Sequence, residues 1–213
     1  MKHFSLFLFC AVATAGAAFA QKWEVGAGVG GAFYTSQSFT NAGSSATGSL
    51  SMGPVVSAWL GNNSGRLLGG EFRYDYEFTN LELNSGGTKA SFGAQTHSFH
   101  YDFLFHFAPR EARIRPFVAA GGGIKMFRGT GTEQAFQPLS NLGLLSKTSQ
   151  IEGLVSVGGG VKFTLASIVQ LRLEVHDYLT PFPNKVIAPG LGAKGGSGWL
   201  QDFVPMAALA ITF

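Results

Sequence analysis

The chain has 213 residues, of which 13% are charged, while 30 are glycine and 20 are phenylalanine. The charged share is about half that of an ordinary soluble domain, and a formal net charge of +3 is too small to argue for nucleic acid as a partner. No run of about 18 apolar residues occurs, so helical spans are excluded.

The first twenty residues differ from the rest. Lys2 and His3 precede an apolar run, Phe4 to Val12, broken only by Ser5. Ala18-Phe19-Ala20 then places small residues at the two positions a signal peptidase reads, predicting export and a cut before Gln21. The apolar run is shorter than the roughly 20 residues of a spanning helix, which disfavours an uncleaved anchor. Cys10 lies inside that run, without the small residues that precede a lipidated cysteine, and is expected to leave with the peptide. Residues 21–213 hold no cysteine, so no disulfide, thiolate metal site or thiol nucleophile is available. Their length suits one domain.

An exported chain of this composition has one membrane solution, a closed all-β barrel. Period-2 alternation marks eight segments, about 23–34, 49–60, 66–79, 95–107, 114–128, 150–165, 168–179 and 200–213. The first carries Gly26, Gly28 and Gly30 on one face, leaving room in a narrow lumen. Gly26, Gly28 and Gly31 also match a dinucleotide fingerprint by spacing, but no helix signal and no acidic residue follow. In the third segment Phe72, Tyr74, Tyr76 and Phe78 alternate with Glu71, Arg73, Asp75 and Glu77. In the fourth, Phe99, Tyr101, Phe103, Phe105 and Phe107 alternate with Ser98, His100, Asp102, Leu104 and His106. The sixth sets Ile151, Val155, Val157, Val161, Phe163 and Leu165 against Glu152, Ser156, Lys162 and Thr164; the seventh sets Val169, Leu171, Leu173 and Val175 against Gln170, Arg172 and Glu174. The eighth has Phe203, Ala207, Leu209, Ile211 and Phe213 on odd positions. Ionisable groups on one face and aromatics on the other predict lipid outside and a polar lumen inside. Long polar loops (35–48, 80–94, 129–149, 180–199) alternate with short links (61–65, 108–113 and near Ala166-Ser167). That pattern fits external loops, periplasmic turns and both ends on the periplasmic side.

Arg115-Pro116-Phe117-Val118-Ala119-Ala120-Gly121-Gly122-Gly123, Gly158-Gly159-Gly160-Val161-Lys162-Phe163, Leu171-Arg172-Leu173-Glu174-Val175 and the ending Ala210-Ile211-Thr212-Phe213 carry a family likeness. On these the chain resembles the small eight-stranded outer-membrane barrels, the OmpA/OmpX-like and opacity-like group. The resemblance implies the outer membrane of a Gram-negative bacterium, contact with outer-membrane lipid and lipopolysaccharide, and a terminal aromatic, Phe213, read by the barrel-assembly machinery. No peptidoglycan-binding domain follows the barrel segments, a departure from OmpA itself.

The charged lumen residues are the most informative constellation. Segments three and seven are opposed in an eight-stranded ring, so Glu71 and Arg73 can cross-pair with Arg172 and Glu174 through the middle. Asp75, Glu77, Asp102, Lys125, Glu152 and Lys162 could extend the network. Paired charges in so narrow an interior favour a polar plug over an ion path. His100 and His106 flank Asp102 but stand about 20 Å apart along the strand, too far for one metal. Ser98, His100 and Asp102 share a face at about 6.6 Å intervals, which does not favour the direct contacts a catalytic set needs. The expectation is therefore a non-catalytic barrel without cofactor or metal, serving envelope integrity or contact between its external loops and a surface or host ligand. A narrow porin-like channel is the first alternative, and a lipid A-modifying enzyme the second.

Overall fold

The computed structural model describes residues 22–63 and 65–213. The expected cleavage site at Ala18 and Ala20 lies outside the described residues. Thirteen strands and no helix occur among those described: β1 (Trp23–Tyr34), β2 (Gln37–Asn41), β3 (Ser44–Leu50), β4 (Gly53–Asn62), β5 (Leu68–Ser85), β6 (Thr88–His106), β7 (Ile114–Gly129), β8 (Gly143–Leu145), β9 (Ser149–Thr164), β10 (Val169–Pro181), β11 (Ile187–Pro189), β12 (Lys194–Gly195) and β13 (Trp199–Thr212). Eight long ones close a ring in the order β1, β4, β5, β6, β7, β9, β10, β13, with every pairing antiparallel. The seam between β1 and β13 runs from Glu24 opposite Thr212 to Tyr34 opposite Asp202. Trp23 and Phe213 exchange backbone hydrogen bonds of 3.0 and 2.9 Å at its end. No edge of the ring stays open, so the folded protein is expected to survive cold SDS and to shift its migration on boiling. Identical migration of heated and unheated refolded protein would contradict a closed ring.

The alternation seen in the sequence sorts residues between two environments. On β5 the outward Leu68, Phe72 and Phe78 are 64%, 67% and 49% exposed, whereas the inward Glu71, Arg73, Asp75 and Glu77 are all buried. Beyond Thr79 the polarity inverts. Leu81 and Leu83 continue the inward face and are fully buried, while Asn80, Glu82 and Asn84 continue the outward one. Beside it on β6, Ala90, Phe92 and Ala94 point in, and Lys89, Ser91 and Gln95 point out. Below this level the wall meets hydrocarbon and encloses charge; above it the wall meets water and encloses an apolar core. The apolar belt from Leu68 to Phe78 matches the roughly 9–11 residues a tilted strand needs to cross a bilayer.

The upper part corrects the expected loops. Residues 80–94 are not a loop: β5 and β6 stay paired to Ser85 opposite Thr88. They turn on Gly86 and Gly87, whose φ values of 53° and 86° suit a two-residue hairpin. Within 35–48, β2 and β3 form a hairpin that extends the wall, with Leu50 of β3 opposite Leu81. Loops 129–149 and 180–199 meet through β8 and β11. Leu145 and Ile187 from this small sheet pack with Phe39, Leu50, Leu81, Leu83, Phe92, Phe127, Phe182, Val186 and Leu200 into one buried cluster. Each large side chain buried there contributes about 1.5–3 kcal/mol, so the mouth opposite the chain termini is filled by a folded core.

Candidate functional site

The lumen beneath this core is occupied by side chains from every stave of the ring. At its centre the opposed β5 and β10 meet. Arg172 donates to both carboxylate oxygens of Glu71, at 2.6 and 2.9 Å, and its Nε to Glu174. Arg73 donates to Glu71 at 2.8 Å and to Glu174 at 2.8 Å. Two guanidinium forks thus share two carboxylates across the barrel, the bidentate geometry in which such pairs are strongest. Trp59 from β4 lies against both guanidiniums, with Cζ 4.9 Å (Arg73) and 4.8 Å (Arg172) from its ring centre. Of the four residues, Arg172 is wholly inaccessible.

At the end of the barrel that carries both chain termini, Glu24 of β1 accepts from Lys162 Nζ at 2.6 Å, Trp59 Nε1 at 2.9 Å and Asn63 Nδ2 at 3.1 Å. Arg115 closes that end by donating to Asn63 and to the carbonyls of Arg66 and Ala108. Above the centre, Asp75 accepts from Tyr178 at 2.7 Å and lies 3.2 Å from His100 Nε2. Higher still, Lys125 bridges Glu77 (2.8 Å) and Asp202, and Tyr34 and Thr96 donate to Glu77. The layers run without a break from Arg115 to the underside of the apolar core.

The residues expected from the sequence are not all joined. Glu71, Arg73, Arg172 and Glu174 form the centre, and Asp75, Glu77, Asp102, Lys125 and Lys162 occupy the layers above and below. Glu152 stays apart. It stands opposite Lys125 in register, but the ammonium turns to Glu77 and Asp202, and Glu152 accepts instead from Gln150. Glu24 and Asp202, absent from the expected set, hold the two lysines. Phe213 points outward and is 46% exposed at the rim where β1 begins.

The spacing of Ser98, His100 and Asp102 does not favour direct contacts, and one close approach, without hydrogen-bond geometry, occurs among them. The imidazole leans along β6, placing His100 Nδ1 3.2 Å from Asp102 Oδ1. Ser98 Oγ is buried with no hydrogen-bond partner among the described residues. A second set is closer to a proton-transfer arrangement: Ser156 Oγ lies 3.4 Å from His176 Nδ1, and His176 Nε2 lies 3.3 Å from Glu174 Oε2. Ser156 and His176 have no solvent exposure, and Glu174 is held by both arginines. A nucleophile needs an open side for its substrate, and walls and ion pairs surround this one. Glu71, Glu174 and His176 bring ligand atoms within 4.8 Å of one another, but an added cation there would sit against two guanidiniums.

This architecture, a closed eight-stranded antiparallel ring with an apolar outer belt and a charged lumen, is that of a small outer-membrane β-barrel. The outer membrane protein OprG from Pseudomonas aeruginosa superposes with a TM-score of 0.60 at 9% identity, over 91% of this chain and 96% of that one. Neisserial surface protein A superposes with a TM-score of 0.49 at 12% identity, over 90% and 97% of the two chains. The N-terminal barrel of OprF from Pseudomonas aeruginosa gives 0.45 at 14% identity, over 91% and 99%. No protein-family model matches the sequence, and no curated protein matches it.

Proposed function

We propose that the protein is a non-catalytic integral barrel of a Gram-negative outer membrane, exported through its N-terminal signal, whose working surface is its external loop platform. The observation that carries this reading is the doubly sealed lumen. The crossed pairs of Arg73 and Arg172 with Glu71 and Glu174 block the middle, and the cluster around Phe39, Leu81, Phe127 and Ile187 blocks the mouth. An eight-stranded interior is only wide enough for such filling, and the carboxylates and histidines of the lumen are buried among its walls and ion pairs.

What remains in contact with the surroundings is the platform, cross-braced where Asn41 Nδ2 donates to the carbonyls of Asn141 and Leu191. It displays Phe136 and Leu191 to water, 77% and 97% exposed. Exposed apolar side chains on a braced loop surface suit contact with another surface or a host ligand, since recognition concentrates in loops held by a rigid scaffold. In planar lipid bilayers the wild-type barrel is expected to give no opening of steady size. A reproducible unitary conductance would overturn the reading in favour of a narrow channel.

A further inference from the structure

The glycine runs of β7 and β9 leave room along one wall of the lumen, and a chain of carboxylates and imidazoles fills it. A Cβ on Gly121 would collide with Asp102 Oδ1, and one on Gly158 would fall 2.7 Å from His176 Nδ1. His100 Nε2 bonds Asp75 Oδ2 at 3.2 Å, and its Nδ1 lies 3.2 Å from Asp102 Oδ1. Ser156 Oγ then lies 3.2 Å from Asp102 Oδ2 and 3.4 Å from His176 Nδ1, while His176 Nε2 lies 3.3 Å from Glu174 Oε2. Three acids and two imidazoles thus alternate from β5 through β6 to β10, all of them buried.

The lysines and arginines of the lumen are engaged elsewhere. Lys162 pairs with Glu24, Lys125 with Glu77 and Asp202, and the two central arginines with Glu71 and Glu174. Arg73 stands opposite His100 in register but turns to those glutamates. Lys125 stands opposite Ser98, with its Nζ over the Tyr178 ring at 5.5 Å. Opposite His176, β9 presents Gly158 and β13 presents Val204. Among the described residues, the cationic groups left for Asp75 and Asp102 are the two imidazoles. The other close partners are the hydroxyls of Tyr178 on Asp75 (2.7 Å) and Ser156 on Asp102. A buried carboxylate met only by hydroxyls is strongly disfavoured.

Ring chemistry points the same way. A neutral imidazole has one donor and one acceptor nitrogen, whereas an imidazolium has two donors. Both nitrogens of His100 face carboxylates. With His176 charged, Nε2–H donates to Glu174 and Nδ1–H to Ser156, whose hydroxyl is then free to donate to Asp102. A neutral His176 accepting from Ser156 would take that donor away. A metal ion needs ligands converging on one point, but the acids stand at opposite nitrogens of each ring.

We propose that the lumen is a two-proton site, in which His100 and His176 are imidazolium ions that tie Asp102 to Asp75 and Glu174. The interior is therefore tightened in acid and loosened in alkali, because releasing the protons leaves Asp102 as an uncompensated buried charge. The site goes beyond the sealed-barrel reading and rests on it.

The test is nitrogen-15 NMR of the histidine-labelled full chain refolded in detergent, with urea unfolding in lipid vesicles across pH. At about pH 7 both nitrogens of His100 and His176 should carry protons, each ring being assigned by its own His→Gln variant. A neutral ring at either position would overturn the proposal. Resistance to urea should fall between about pH 6 and about pH 9. His100→Gln together with His176→Gln should lose at least about half of that dependence. Asp102→Asn removes the charge that the protons answer and should flatten the profile as well, so the test does not depend on the double variant refolding. His97→Gln, on the outer face, should leave the profile as in wild type. An undiminished slope in either the double variant or Asp102→Asn would overturn the site. So would one zinc ion retained in native mass spectrometry and lost in His176→Gln. Bilayer silence of the same samples reports on the seal separately, so failure of the proton site is distinguishable from failure of the wider reading.

Discussion

Replacing Arg172 with alanine should destabilise the folded barrel by about 3–5 kcal/mol, the cost of leaving buried charge uncompensated. Arg172 makes two contacts to Glu71 and one to Glu174 and lies 3.5 Å from Glu24, with no exposure to solvent. Its loss leaves Arg73 as the only guanidinium facing Glu71 and Glu174, in a medium where an unpaired carboxylate is strongly disfavoured. An outward replacement of similar apolar loss behaves differently. Phe103 is 69% exposed to the bilayer, so Phe103→Leu exchanges one lipid contact for another and should cost less than about 1.5 kcal/mol. Urea unfolding in lipid vesicles measures both, and the reverse order would mean that the two faces had been assigned the wrong way round. A double change of Arg172→Met with Glu71→Gln removes both signs at once. It should recover a substantial part of the loss, because burying neither partner avoids most of the penalty.

The barrel was legible in the sequence because a membrane strand repeats one rule along its whole length. Phe72 to Phe78 and Phe99 to Phe107 have one face for lipid and one for charge. The staves above the membrane were hidden by the same rule. Leu81, Leu83, Ala90, Phe92 and Ala94 keep the period of two, and Gly86-Gly87 is a hairpin signal. Their polarity is inverted, however, so a reading tuned to apolar residues outside takes the stretch for a polar loop. The inward fold of loops 129–149 and 180–199 rests on a three-residue pairing, Gly143–Leu145 with Ile187–Pro189, too short to leave a periodic trace.

The central ion pairs were accessible because Glu71-x-Arg73 and Arg172-x-Glu174 carry both signs on one strand face. Glu24 and Asp202 were not. Each is a single acid in a stretch of glycine and apolar residues, and its partner lies 138 or 77 positions away. Only the closed ring brings such pairs together. Glu152 shows the converse: the register that places it opposite Lys125 does not decide where a flexible ammonium turns.

Closure itself is expected to fail in Gly30→Val. Gly30 faces the lumen on β1 opposite Met206 of β13, within the seam that removes both edges. A Cβ there would fall 2.2 Å from the carbonyl oxygen of Pro205 and 2.5 Å from Met206 Cγ. The methionine side chain can move, but the carbonyl belongs to the backbone of the partner strand, whose shift would carry the seam with it. Overpacking of side chains costs about 1–3 kcal/mol, and a clash fixed in backbone should reach or exceed the top of that range. Valine favours strands over glycine, so local propensity works against the expected loss and cannot be its source. Ala27→Val supplies the comparison: Ala27 lies three residues earlier on the same strand, faces lipid opposite Leu209, and has open space for the larger side chain. Refolding in detergent should yield the heat-shifted form for Ala27→Val at the wild-type level and little or none for Gly30→Val. Wild-type yield from Gly30→Val would mean that β1 and β13 do not meet in this register.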